Sequence, residues 1–396
     1  MRFSLTLIAV TLATTASAQV TTRDSAGVQI RTTSLARATA PFAFSERPVL
    51  DMGGADADVP HEFHRISSVI RLRNGTVVVA NGSSFEVRYF SATGALIRTA
   101  GRKGSGPGEF TNISTAFPTR GDSVLVVDDL ARRFSVFTPD GRLVTSAAVT
   151  PPDGRRSPRL VGIMGDNTII GSSPDRANVD PNGRPHYFAS HLFGYGFHGS
   201  ATHDAGAFYE LEAFPQALPA QNGRPSSAYW NLAFGRNATV RGTNEGFATG
   251  DGTAFEVQMR SRTGAVRSIL RVDERRAPVT DADKAWYRES TGRGLSGPDA
   301  DNARRRAAEM PFPALKPAYH SFLIGRDGRV WIRRYPANDA TEQRWVVLAP
   351  TGAFVSELTL PARFTLHGAD AETAWGVQRD DDGVEHAQVW GFRRAN

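Results

Sequence analysis

The sequence predicts an all-β fold: a six-bladed β-propeller closed by an N-terminal velcro strand, with a small helical insertion between blades 4 and 5. Three observations carry this reading. Residues 66–110 contain four short runs rich in β-branched and aromatic residues, punctuated by Asn74-Gly75, Ser83-Ser84 and Thr93-Gly94. That is the pattern of four antiparallel strands joined by tight turns. The unit then recurs. Gly75 matches Gly121, Asn81 matches Asp128, and Gly94 matches Gly141 at a spacing of 47 residues, which is a propeller-blade period. Finally, the last copy has only three strand-like runs, while residues 45–53 carry one run outside any copy. A ring with that gap would leave an open edge that invites aggregation, so the early run is expected to fill it.

Taken in order, the chain begins with a processing signal. Arg2 supplies a positive charge, residues 3–13 an apolar core, and Ala16-Ser17-Ala18 an A-x-A site. The apolar run is too short to span a bilayer. Residues 1–18 are therefore read as a signal peptide cleaved near Ala18. Residues 19–396 are read as a single exported domain, periplasmic or extracellular, with no membrane insertion. Residues 66–110 form the first copy, 113–150 the second, a weaker third begins at Leu160, and the fourth covers 229–272. Residues 273–316 break the pattern. Thr280 and Asp283 resemble a capping box that opens one helix, and a second polar helix runs from Asp299 to Met310, ahead of Pro311. The fifth copy starts at Tyr319, and the sixth, three-stranded copy ends at Phe392.

Charge and composition narrow the function classes. The formal charge is +6, but 46 basic residues face 40 acidic ones, and the longest basic run is Arg304-Arg305-Arg306. This mixed surface gives no reason to expect nucleic-acid binding. The chain has no Cys, so an exported protein of this sequence rests on its core and its β-ladders rather than on disulfides. There is no G-x-S-x-G elbow and no Cys nucleophile.

The run Gly101-Arg-Lys-Gly-Ser-Gly-Pro-Gly-Glu-Phe110, followed by Val124-Leu-Val-Val-Asp128 and Arg133-Phe-Ser-Val-Phe137, resembles an NHL-type propeller repeat. The whole mature chain resembles the exported bacterial six-bladed β-propeller family with NHL-like repeats. The third copy departs from the pattern, with Gly171-Ser172 where the others carry Asn81 or Asp128. The resemblance implies a ligand face at the blade-to-blade loops and the central channel. It implies no single activity, because such folds host binding modules, lyases and lactonases alike.

That face collects the candidate binding residues Arg102, Tyr319, His320, Arg333, Arg334 and Tyr335. A guanidinium beside tyrosine at a channel mouth suits a carboxylate, a sulfate or a sugar. Strand alternation sends Arg333 and Arg334 to opposite faces, so one of the two is expected to be structural. Asn81 and Asp128 are read as turn-stabilising acceptors, and residues 101–108 as a tight inter-blade turn. His61, His64, His320 and His367 are the candidate metal ligands, although no ligand motif joins them. The function expected is a binding module, monomeric, taking a protein partner or a small anionic or sugar ligand, with no cofactor. The alternative is a metal-assisted hydrolase or lyase, lactonase- or esterase-like, in which a divalent ion at the channel polarises a carbonyl and activates a water.

Overall fold

The computed structural model describes residues 20–35, 42–152, 155–175, 186–221 and 224–394. The signal peptide expected over residues 1–18, with its cleavage near Ala18, falls outside these residues. The fold is propeller-like and almost wholly β. Sheet 1 holds Ile66–Arg71, Val77–Asn81, Glu86–Phe90 and Leu96–Ala100, paired in that order. Sheet 2 holds Thr115–Pro118, Val124–Asp128, Arg133–Phe137 and Leu143–Ala148. The matched glycines explain why these repeats are regular. Gly94 and Gly141 have φ of 89° and 78° in the turn before the outer strand, a conformation that glycine adopts without steric cost.

Sheet 3 holds Arg159–Ile163, Ile169–Asp175, His186–Tyr195, Ala201–Gln221 and Arg224–Asn231. Its last two strands form a long hairpin that the sequence pattern did not indicate. Sheet 4 is Thr239–Gly242, Gly246–Gly250, Glu256–Ser261 and Val266–Val272, extended by the hairpin Val20–Ser25/Val28–Thr33. This hairpin is a second addition to the expected plan, and Val28–Thr33 runs parallel to Val266–Val272. Sheet 5 is Ser321–Ile324, Val330–Arg333, Glu342–Leu348 and Phe354–Pro361. Sheet 6 is Phe364–Ala369, Thr373–Arg379 and Glu385–Arg394, with Phe42–Phe44 and Leu50–Gly53 both pairing antiparallel to the last strand.

Alternation along each strand sends successive side chains to the two neighbouring sheets. Val124 and Val126 pack with Val78, Val87 and Tyr89 of sheet 1, while Leu125 and Val127 pack with Leu160, Ile169 and Tyr195 of sheet 3. Further cores join sheet 3 to sheet 4, sheet 4 to sheet 5 and sheet 5 to sheet 6. Met52, Trp375 and Val389 of sheet 6 pack with Phe63, Val79 and Phe90 beside and within sheet 1. The hairpin turns after the innermost strands are tied to their neighbours in sequence. Arg73 N–H donates to Asp122 Oδ2 (3.1 Å), Arg120 N–H to Asn167 Oδ1 (2.7 Å), Gly165 N–H to the Thr243 carbonyl (2.9 Å), and Arg326 N–H to the Ala369 carbonyl (2.8 Å).

The insertion forms α1 (Asp281–Ser290) and α2 (Gly297–Glu309). The capping box at α1 is present: Asp283 N–H donates to Thr280 Oγ1, and Thr280 N–H donates to Asp283 Oδ2. The second helix starts two residues earlier than its pattern indicated, because Pro298 sits in its first turn, where a missing N–H costs nothing. The insertion is anchored by Val279, Tyr287, Met310 and Phe312 against Phe234 and Tyr335. A Lys316–Asp283 pair at 2.6 Å, joined by Asn338, reinforces it.

Candidate functional site

The innermost strands of all six sheets line one cavity of about 2320 Å³. One end, the entry end, carries the loops that lead into the sheets and those between second and third strands. The other, the hairpin end, carries the turns between first and second strands. Among the described residues the wall bears twelve arginines against five carboxylates. Several of these charges are already answered. Arg73 lies 3.9 Å from Asp122 and Arg159 lies 3.2 Å from Glu210. Asp128 accepts from Thr111 N–H (2.6 Å) and Ala131 N–H (2.9 Å), so it stabilises its turn as read from the sequence.

Arg241, on the innermost strand of sheet 4, has no carboxylate partner among the described residues. Its Nη1 donates to the carbonyl of its neighbour Val240 at 2.8 Å. It keeps solvent contact through the cavity yet is ringed by protein, and this crowding, with Arg159 nearby, pushes its pKa down. Arg260 is fixed by Thr249, Gly264 and Gln258, likewise without a carboxylate. A guanidinium that faces the cavity with no carboxylate partner keeps N–H donors free for an anion.

His367 is the second distinctive group. It occupies a register irregularity in the innermost strand of sheet 6, between Leu366 and Gly368, and such bulges re-aim side chains. Its Nδ1 accepts a hydrogen bond from Val69 N–H at 2.8 Å. A backbone amide can only donate, so Nδ1 is unprotonated and the ring proton resides on Nε2. Burial, with Arg379 nearby, pushes the pKa down to about 4. His367 is thus held as a neutral N–H donor on the cavity wall.

The residues singled out from the sequence are scattered. Arg102 is 80% exposed and pairs with Glu109 at 2.6 Å. Glu109 also accepts from Gly106 N–H, and Arg133 reaches the Ser105 carbonyl, so residues 101–108 form a closed turn. Tyr319 is buried between sheets 4 and 5, with its hydroxyl donating to the Glu256 carbonyl at 3.1 Å. Tyr335 packs beneath the insertion, where burial and Asp283 push its hydroxyl up to about 12. Arg334 is held bidentately by Glu274 and again by Glu357, so it is the structural member of its pair. Arg333 carries no such acid. It lies near His320, where burial and the Arg333 charge push the imidazole down to about 4. Only His320, Arg333 and Tyr335 are brought together, with the His320 and Tyr335 rings 6.4 Å apart, and none of the three lines the cavity.

The four candidate metal ligands lie apart. His61 bonds Asp58 and the Gly94 carbonyl and stacks on Phe90, while the His64 backbone donates to Asn81. Among the described residues no group of three or more His, Cys, Asp or Glu is placed to hold a metal ion. Arg241 was missed, though a signal was present: it is a charged residue in a β-branched run, Thr239-Val240-Arg241, within the fourth copy.

No family model and no curated protein matches the sequence. Solved structures do. A member of the DUF4221 family from Bacteroides vulgatus superposes with a TM-score of 0.50 at 10% identity, covering 90% of this chain and 99% of that one. A candidate exported protein from Bacteroides fragilis gives 0.48 at 10% identity, over 93% and 100%. Virginiamycin B lyase from Staphylococcus aureus gives 0.38 at 9%, over 87% and 98%, too low to carry an argument. Among the described residues no helix is long and apolar enough to cross a membrane. At 10% identity the likeness to the DUF4221 protein concerns fold alone, and it extends over most of both chains.

Proposed function

We propose that this chain is an exported binding protein: a six-bladed propeller of NHL-like repeats, closed by Leu50–Gly53, whose central channel takes a small anionic ligand. The observation that supports this reading is that one cavity is lined both by Arg241, a cation without a carboxylate among the described residues, and by His367, a neutral donor. Both offer N–H groups and neither offers a free lone pair, so these two positions of the wall favour acceptors. His367 is also poorly suited to general-base catalysis, because Nδ1 is engaged by Val69 and Nε2 carries the proton. That favours binding over the hydrolase or lyase alternative.

The test is calorimetric titration and thermal melting of residues 19–396 with orthophosphate, sulfate, citrate and glucuronate at low ionic strength. A ligand that binds only the folded state raises the melting temperature by mass action. At least one anion should do so saturably. Arg241→Gln should weaken it about tenfold or more, the scale of a lost hydrogen bond to a charged group. If none of the four binds, or if Arg241→Gln binds as the parent does, the reading is wrong.

A further inference from the structure

The same cavity holds a second pattern, one that concerns the length of its ligand. At the entry end the Arg155 guanidinium lies over the Phe193 ring, 5.4 Å from its centroid. At the hairpin end the Arg326 guanidinium lies over Trp375 at 5.2 Å. Stacking fixes a guanidinium in place while leaving its N–H donors free. Neither side chain has a hydrogen-bonded partner among the described residues. Exposed arginines reinforce both ends, Arg156 near the first and Arg120 near the second. Some carboxylate is close: Asp370 and Asp122 act on Arg326, opposed by Arg71 and Arg73. Asp129 is occupied by Asn112.

The two ends are separated by the innermost strands. Arg159–Ile163 has five residues, which at about 3.3 Å per residue places the ends about 15 Å apart. One phosphate or sulfate cannot reach both. Arg241 lies on the wall between them.

We infer that the channel's ligand is a linear oligoanion, a polyphosphate or a sulfated oligosaccharide, lying along the channel with anionic groups at both stacked arginines. This rests on the anion-binding reading above and adds the ligand's length. Bases are disfavoured, because the Phe193 and Trp375 rings are buried in the cores between sheets and their outer faces carry guanidinium groups.

The experiment titrates the full mature chain with orthophosphate, tripolyphosphate and a longer linear polyphosphate, and in parallel with a sulfated disaccharide and a longer sulfated oligosaccharide, at fixed ionic strength. Affinity per anionic group should rise with length in at least one series, which also identifies the source. Arg155→Gln and Arg326→Gln should each weaken the longest member about tenfold, the effect of losing a charge-assisted contact, and leave orthophosphate within about twofold. Arg241→Gln should weaken every member. Affinity per group that is flat with length in both series, or long-chain binding unchanged in both end variants, would overturn the inference while leaving the channel an anion site. Failure of every anion, short and long, would instead remove the reading beneath it.

Discussion

Between sheets 1 and 2 the interface is filled by side chains: Ile70, Val78 and Tyr89 from one side, and Phe110, Val124 and Phe137 from the other. Between sheets 3 and 4 part of the interface is backbone against backbone. A Cβ on Gly162 would lie 3.1 Å from Gly242 N, one on Gly165 would lie 2.7 Å from Asn244 Cα, and one on Gly242 would fall inside the van der Waals radius of the Ile163 carbonyl oxygen. The first junction belongs to the two most regular repeats and the second to the most divergent one. Where the repeat is kept, the sheets are spaced by interdigitating apolar groups. Where it has drifted, glycine lets two innermost strands close up, and Arg159 and Arg241 become neighbours on the channel wall. Glu210 offsets one of those charges, and the other has no carboxylate partner among the described residues.

Breaking the side-chain junction should have the larger effect. Phe110 is fully buried, and Phe110→Ala should cost about 3–5 kcal/mol in urea unfolding. A loss under 1 kcal/mol would mean that sheets 1 and 2 are not held by this core. The backbone junction should respond to added volume instead. Gly242→Ala should cost about 1–3 kcal/mol or more through overpacking, with Gly162→Ala milder. Equal stability of parent and Gly242→Ala would refute the close approach.

The smallest effect is a pH dependence. The folded pKa of His367 is about 4, against 6.5 for the free side chain, and His320 behaves alike. Between pH 6.5 and 4 the unfolded chain binds protons that the folded chain does not, so stability falls as pH drops through that window. Above 6.5 the two groups contribute no slope. His367→Gln keeps an acceptor for Val69 and removes the titration. Its stability should therefore decline less steeply from pH 6.5 to 4, as followed by thermal melts, and an unchanged slope would show that His367 is not held neutral.

How much of this was legible follows from which interactions are local. Sheets 1, 2 and 5 were legible because turn glycines such as Gly94 and Gly141 recur at fixed offsets from alternating strands. The hairpin Val20–Ser25/Val28–Thr33 was not, because its anchor is a parallel ladder to residues more than 230 positions away. The strand Ala201–Gln221 escaped notice because Gly206 and Pro215 interrupt its alternation. For the site, alternation correctly separated Arg333 from Arg334. It could not show that Glu274 and Glu357 already hold Arg334, or that Tyr319 turns into the core. His367 stood out only as a histidine, since its tautomer depends on Val69, 298 residues away.

The pairing of Leu50–Gly53 with Glu385–Arg394 sets an order of events during synthesis. Asp51 and His386 are 335 residues apart, so the early strand leaves the ribosome long before its partner exists. Contacts of such separation form late, and until then both edges stay open. Under the export proposed above, by a route that takes unfolded chains, a sheet that only the last strand completes cannot form ahead of passage. The ladder that ties Leu50–Gly53 to the last strand thus leaves the sixth sheet incomplete until synthesis is nearly done.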